Sequence, residues 1–501
     1  MRRDLGKNRT VVRPAILFCA IILLVLHCSQ TAHKTPVKTR IAKNVLISEL
    51  ETHIPKIMEN AMIPGLSIAV VRDGDILWAK GFGVKNAETK EPSTEETVYE
   101  ACSLSKPVFA YAVLKLVERG ELDLDTPLIQ YVPESTIEEK FLREKITDDR
   151  FRKITARMVL SHTPGFPNWR RNNPLSIEFE PGQKFSYSGE GFQYLQSVVE
   201  HMTGLSLNAF MTKEVFMPLG MTSSSYVWQD AYDTTSASPH GFMEELAGKG
   251  KPEQARAAAS LHTTAPDFAR FVMAIINHQG LTQNTVDSML TPQSIVEPEV
   301  SDSVAWGLGI GLEKTPDGMA FWHWGDNFRF KCFVVAFPAQ KIGVVYFTNS
   351  FYGLSVRENI VTLAIGGDHP AVHSRLTEQY GDADAPGMAF TRILVRQGME
   401  AALAKYEALA QTIPASDIMS ENAMNGLGYQ LMRMERTSDA IAIFKLNLDA
   451  HPDSWNVYDS LAEAYMEDGQ KELAIQYYEK SLELNPENTN GMEMLKKLRA
   501  E

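Results

Sequence analysis

The sequence predicts a mixed α+β fold, an antiparallel sheet flanked by helices, followed by an all-α tail; three observations carry that expectation. Two pairs of β-rich runs stand far apart in the chain: Leu66 to Val71 with Ile76 to Gly83, and Phe330 to Phe337 with Ile342 to Asn349. Stretches with helical spacing fill the interval between them. From Asn425 onward, residue types recur at an interval of 34 positions, pairing Pro452 with Pro486, Ala440 with Ala474, Phe444 with Tyr478 and Leu427 with Leu461.

A chain of 501 residues exceeds one ordinary domain and predicts two to four units. Hydrophobic residues make up 44% and charged residues 22%, so large cores can form and bulk disorder is excluded. The net charge of −13, with no basic run in the body of the chain, excludes a nucleic-acid partner, which needs a concentrated cationic surface. The one basic cluster, Arg2, Arg3, Lys7, Arg9 and Arg13, precedes the apolar run Ala15 to Leu26. That order predicts export to the periplasm or cell envelope, with residues 1–32 as a signal peptide. The run is shorter than the ~20 residues that span a bilayer, so a membrane anchor is the lesser alternative. Cys28 stands where a lipid would attach, but His27 before it is bulkier than such sites prefer.

Lys43 to Asn60 is the first expected helix, with Val45, Leu46, Ile54 and Ile57 on one side. Asp73-Gly74 accepts the positive φ angles of a tight hairpin, and Pro338 marks the turn of the second pair of runs. The main domain is expected over 43–365. Gly366 to Pro386 is rich in Gly, Asp, His and Pro without periodicity, so 366–388 reads as a linker and 389–501 as a helical tail. The 34-residue interval is that of the tetratricopeptide repeat. Gly428 and Ala462 fall where two helices cross closely, Ala440 and Ala474 where the second helix meets the first, and Pro452 and Pro486 stop each unit. The tail resembles two such repeats over about 421–488, with a capping helix from Asn490 to Ala500. Gly398, Ala402 and Tyr406 suggest a degenerate repeat before them. Such tails bind a protein or peptide in a concave groove, and removing one that only recruits partners should leave the rest unchanged.

The chemistry centres on Ser103-Leu104-Ser105-Lys106, which opens a helical pattern running to Gly120. Three-residue spacing puts the Ser103 hydroxyl and the Lys106 amine on one helix face, one turn apart. A serine is a poor nucleophile until a neighbour takes its proton, and a buried lysine with a lowered pKa can do so. Downstream, a polar loop opening at Glu180-Pro181-Gly182 presents Tyr187 at its tip, ahead of a helix from Gly191 to Met202. A lysine cation beside Tyr187 would favour its phenolate, a general base. Further on, Trp322-His323-Trp324-Gly325 precedes the last hairpin; Gly325 would let a substrate lie along the strand edge, with the Asp326 N–H free to help.

With these residues the chain resembles the serine β-lactamase and penicillin-binding protein superfamily, in the branch of class C β-lactamases, D-stereospecific peptidases and family VIII esterases. The likeness covers about Lys43 to Ile365. Ser103 and Lys106 match its Ser-x-x-Lys motif, Tyr187 its Tyr-x-Asn motif, and His323 with Gly325 its His-x-Gly motif. Leu160-Ser161-His162-Thr163-Pro164-Gly165 resembles the loop before the second motif, and Trp306-Gly307-Leu308-Gly309 the strand before the third. The resemblance implies that Ser103 attacks an acyl carbonyl, that Lys106 and Tyr187 shuttle the proton, and that the N–H groups of Ser103 and Asp326 hold the oxyanion. Two departures stand out. Gly189 replaces the asparagine that would hold a substrate amide, and His323 replaces lysine, which loses a permanent charge. Arg329 or Lys331 stand near enough in sequence to compensate.

Blander roles compete with these. Ser103 and Lys106 alone would read as a helix cap beside a surface lysine, Tyr187 as a loop anchor and His323 as a packed histidine. His162 reads as a brace for a Pro-Gly loop, and the tryptophans around His323 as cleft lining or core. Cys102 and Cys332 read as two free buried thiols. No metal or cofactor motif appears. The expected function is hydrolysis of an ester or amide through an acyl-enzyme on Ser103, on a small-molecule or peptide substrate. Esterase or D-peptidase activity is favoured over β-lactamase action because of Gly189. The alternative is an inactive ligand-sensing domain whose repeats recruit a partner.

Overall fold

Eight strands form one antiparallel sheet in the computed structural model, which describes residues 37–38 and 41–500. The strands are β1 (Gly65–Arg72), β2 (Asp75–Gly83), β5 (Ser294–Glu297), β6 (Ser301–Trp306), β7 (Gly311–Thr315), β8 (Gly318–Asp326), β9 (Lys331–Phe337) and β10 (Ile342–Thr348). A separate two-stranded ribbon joins β3 (Tyr99–Glu100) to β4 (His262–Thr263). The sheet order β2-β1-β10-β9-β8-β7-β6-β5 brings the two expected hairpins together, with Leu66 opposite Thr348 and Arg72 opposite Ile342. Strands β1, β9 and β10 are buried along their whole length, which is why they read as unbroken apolar runs. The first hairpin turns at Asp73 (φ 58°) and Gly74 (φ 79°), as that dipeptide predicts.

Two cores follow from the two faces of the sheet. On one face lie α1 (Lys43–Asn60) and α5 (Arg357–Ala364), which share a cluster with Ile68, Val70 and Val344. Helix α1 buries Leu46, Leu50, Ile54 and Met58, a four-residue spacing. Val45, expected on that stripe, is 44% exposed, since one residue turns the helix by about 100°. On the other face lie α2 (Ser105–Glu118), α3 (Gly189–Thr203) and α4 (Ala265–Ile276), in one cluster with Ala69, Val71 and Phe347. The export segment expected over 1–32 lies outside the described residues. Among the described residues no helix is long and apolar enough to cross a membrane.

The segment 366–388 is not the loose linker its composition suggested. His369 Nδ1 lies 2.6 Å from the Glu313 carboxylate on β7, and the Ala371 N–H donates to the same carboxylate at 3.0 Å. The buried Arg357 guanidinium donates to the carbonyls of Leu354, Val372 and Gly381. Buried polar groups of this kind need such partners, so the connector is strapped to the sheet.

The tail contains helices α6 (Pro386–Gln397) and α7 (Met399–Ala410), then α8 (Glu421–Arg433) with α9 (Thr437–Ala450), α10 (Trp455–Glu467) with α11 (Lys471–Leu484), and the cap α12 (Thr489–Ala500). The small-residue logic is visible at Gly428, where a Cβ would stand 2.5 Å from the Phe444 ring. Ala440, Ala462 and Ala474 are fully buried at their crossings. The expectation of a tail that leaves the rest untouched is corrected by its packing. Phe390 and Leu394 of α6 share a buried cluster with Met62, Phe242 and Tyr352 of the sheet domain. Arg396 clasps Glu244 with two 2.9 Å bonds, and Arg392 donates to the Asn60 carbonyl at 2.6 Å. Leu394→Ala should therefore destabilise the full chain by about 2–5 kcal/mol in a denaturant titration, and a cost near zero would mean that α6 does not pack here in solution. Truncation before Pro386 should expose Met62, Phe242 and Tyr352 and yield aggregating protein in size-exclusion chromatography.

Candidate active site

The chain leaves β3 and turns sharply at Cys102, whose φ of 51° is costly for a residue with a Cβ. A 3₁₀ turn over Cys102–Leu104 then feeds α2. Ser105 fixes this turn: its hydroxyl donates to the Cys102 carbonyl at 2.5 Å and accepts from the Leu261 N–H at 3.0 Å. Tyr226 adds a 2.6 Å bond to the Ser105 carbonyl. Ser103 is left partly exposed, while Lys106 behind it is fully buried. The Lys106 amine donates to Ser103 Oγ at 3.1 Å and to the Ala258 carbonyl at 2.8 Å. Among the described residues no carboxylate pairs with it, and burial pushes its pKa down to about 7. It lies 4.8 Å from the Tyr187 ring centre, 5.8 Å from Phe192 and 6.0 Å from Trp169.

The Tyr187 loop is set by His162. The Ser188 N–H donates to His162 Nδ1 at 3.0 Å, and the Ser186 N–H to the His162 carbonyl at 2.8 Å. Ser188 then caps α3, accepting from the Gly191 N–H at 3.0 Å. The His162 and Tyr187 rings lie 4.3 Å apart, so His162 braces the tyrosine itself as well as the Pro-Gly loop. Burial pushes the Tyr187 hydroxyl far above its ordinary range, outweighing the lowering effect of the nearby Ser103. The hydroxyl makes no hydrogen bond of ordinary geometry, so the Ser103 contact is an approach, not a formed bond. The expected phenolate is thus corrected: the group that loses its proton near neutrality is Lys106, and Tyr187 keeps its own.

Strand β8 supplies the facing wall. Its pairing with β7 ends at Trp322, while pairing with β9 continues to Asp326, so residues 323–326 form an edge open on one side. Gly325 brings this edge against the nucleophile turn. A Cβ there would stand 2.4 Å from Cys332 Sγ and 2.9 Å from both the Ala101 carbonyl and Cys102 Cβ. His323 is fully buried, with Nδ1 2.6 Å from the Trp324 carbonyl; burial, then the Lys106 charge, holds its pKa at about 3. It is neutral at any physiological pH. The Asp326 carboxylate is occupied by Lys331, by the Phe328 N–H at 2.6 Å and by the Tyr380 hydroxyl at 2.9 Å. Arg329 lies 3.5 Å from Glu245. Neither Lys331 nor Arg329 is the spare cation that their place in the sequence suggested, because each already has a carboxylate.

The structure therefore brings Ser103, Lys106, Tyr187, His323 and Gly325 together, with Asp326 at the end of the same edge. Trp306 and Trp322 are buried core, and Cys102 and Cys332 are free, buried thiols beneath the turn. His162 Nε2, the Tyr187 hydroxyl and His323 Nε2 are buried without partners around the Lys106 amine. An orphaned buried polar group costs stability. Two contributors carry no signal in the sequence. The Ala258 acceptor is a backbone carbonyl, which residue type does not encode, and Trp169 belongs to no motif. Only the glycine at 189 pointed toward the latter. In ¹³Cε-lysine NMR, one resonance absent from Lys106→Arg should titrate near pH 7; a midpoint near 10 would show that the amine is not dry.

The beta-lactamase family profile matches residues 50–406, and a tetratricopeptide-repeat profile matches residues 455–488. The chain is 24% identical over 373 residues to Protein flp of Staphylococcus aureus strain N315, covering 67% of this chain and 71% of that protein. It is 28% identical over 251 residues to Esterase EstB of Burkholderia gladioli, covering 44% of this chain and 60% of that one. Among solved structures, a beta-lactamase/D-alanine carboxypeptidase from Pseudomonas syringae superposes with a TM-score of 0.54 at 20% identity, over 64% of this chain and 98% of that one. An octameric penicillin-binding protein homologue from Pyrococcus abyssi gives 0.53 at 24% identity, over 70% and 81%. Because the profile spans most of the chain and encloses the Ser103 turn, the Tyr187 loop and the β8 edge, this protein belongs to the beta-lactamase family.

Proposed function

We propose that the protein hydrolyses an ester bond through an acyl-enzyme on Ser103. The carrying observation is the 3.1 Å hydrogen bond from an unpaired, buried Lys106 amine to Ser103 Oγ. With its pKa near 7, that amine is largely free of its extra proton in mildly alkaline medium. It takes the Ser103 proton as Oγ bonds to the carbonyl carbon. The carbonyl π electrons move to the oxygen, which the N–H groups of Ser103 and Asp326 receive; each such donor lowers the barrier by ~3 kcal/mol. When the intermediate collapses, the bond to the leaving alkoxide breaks. Tyr187, protonated through burial, hands its proton to that alkoxide and is recharged from the Lys106 ammonium. Water then attacks the acyl carbon, with Lys106 as base, and Ser103 is released. The neutral His323 contributes a ring nitrogen beside the site and no fixed charge, which disfavours substrates that rely on a carboxylate anchor there.

The N-terminal basic and apolar segment supports export, and we place the reaction in the cell envelope. The repeat tail supports recruitment of a protein or peptide partner. Epitope-tagged full-length protein should appear in the periplasmic or membrane fraction; recovery only from the cytosol would sink that placement.

Ser103→Ala should lose labelling by a fluorescent serine-directed phosphonate and at least about 10³-fold in ester turnover. Labelling that persists in the variant would show another nucleophile. Because the neutral amine is the base, kcat/KM should fall about tenfold per pH unit below about 7 and level off above it. Lys106→Arg should abolish turnover across the range, and a profile flat down to pH 5 would exclude the lysine as base.

A further inference from the structure

We propose that Trp169 sets the specificity of this site by filling the space next to Gly189, and that it selects esters bearing a planar apolar group over amides. This rests on the reading of Ser103 as nucleophile. Gly189 is the third residue of Tyr187-Ser188-Gly189 and opens helix α3. Its backbone does not demand glycine, since it is absent from the positive-φ positions. Space does. A Cβ at 189 would stand 2.7 and 2.8 Å from two carbons of the Trp169 ring and 2.9 Å from the Asn168 carbonyl. No side chain from 189 can enter the site while the indole is there.

The indole is held in that position. The Gly189 N–H donates to both the Asn168 side-chain oxygen (3.0 Å) and the Asn168 carbonyl (3.1 Å), and the Glu190 N–H donates to the same carbonyl. Arg170, the next residue, donates its N–H to the Glu190 carboxylate at 3.2 Å and forms an ion pair with it at 3.2 Å. Residues 168–170 are thus tied to the start of α3, and α3 is capped by Ser188 beside Tyr187. Yet Trp169 is 39% exposed while its ring centre lies 6.0 Å from the Lys106 amine, so it is a surface beside the nucleophile and not core. Together with Gln193, Gln196 and Arg256 it lines a cleft of about 1010 Å³. Gln193 accepts from the Ala258 N–H at 3.2 Å, so this cleft wall is hydrogen-bonded to the residue whose carbonyl accepts from Lys106.

The chemical consequence follows from what each substrate brings. An amide carries an N–H that must find an acceptor or lose its hydration uncompensated, and the indole face offers none. An ester has no such donor. A flat apolar group gains by lying on the indole, and the cleft beyond has room for the rest of a drug-sized molecule.

The test uses the full chain with 2-naphthyl acetate and p-nitrophenyl 2-naphthoate, vinyl acetate as the small control, and N-(2-naphthyl)acetamide as the amide that carries an N–H. Trp169→Ala should lower kcat/KM for at least one naphthyl ester at least about tenfold more than for vinyl acetate; Trp169→Phe should retain the preference. Gly189→Asn should impair all substrates, since its Cβ meets both the indole and the Asn168 carbonyl, and in Trp169→Ala the ratio of kcat/KM for 2-naphthyl acetate over N-(2-naphthyl)acetamide should fall at least about tenfold. Equal loss on naphthyl and vinyl esters in Trp169→Ala, or an unchanged ester-to-amide ratio, overturns the proposal. Phosphonate labelling of Ser103 in each variant separates the two readings: a labelled protein without the selectivity shift refutes the role of Trp169 alone, and an unlabelled wild type refutes the nucleophile.

Discussion

The site depends on a lysine kept dry without a counter-ion. Lys106 has an acceptor carbonyl, the Ser103 hydroxyl and three aromatic rings around it, and among the described residues no carboxylate. A carboxylate in that place would stabilise the ammonium and hold its pKa up; here the amine meets neutral groups only. The fold does this by bringing three distant stretches against one helix: the ribbon β3–β4 with the Ala258 carbonyl, the loop that His162 braces, and the open edge of β8. The positive φ at Cys102 and the close approach at Gly325 are the local costs of that convergence.

What the sequence made legible was local. Both hairpins, α1, the helix after Ser103 and the repeats announce themselves through period and turn residues, which depend on neighbours in the chain. The repeats gave themselves away twice, since Gly428 must be small for a reason that recurs one unit later at Ala462. The order of Ser103, Lys106, Tyr187 and His323 carried the site because their spacing matches a known set. Contacts between distant segments were not legible. The Ala258 carbonyl has no residue signature, and Trp169 is one aromatic among many until Gly189 is found against it. The protonation of Tyr187 was misjudged for the same reason: a neighbouring cation was inferred, but the depth of burial that neutralises both partners needs the fold.

The connector and the tail teach the same lesson at larger scale. A Gly- and Pro-rich stretch without periodicity looks like slack chain, yet His369 and Arg357 strap it to the sheet. The helical tail has its own repeat logic, but its first helices complete a core with Met62, Phe242 and Tyr352. Two neighbouring glutamates link the parts: Glu244 holds Arg396 of the tail, and Glu245 lies beside Arg329, in the turn that follows Asp326.

The four residues at the end of β8 that pair on one side only have a further meaning. An exposed strand border is ordinarily an invitation for another polypeptide to hydrogen-bond along it, the first step toward adventitious stacking. Here the nucleophile turn stands across that border, with Ala101 and Cys102 in contact range of Gly325. Residues 323–325 are buried, which leaves no room for a foreign strand. The wall that shapes the cleft thus doubles as a guard against unwanted chain-to-chain pairing.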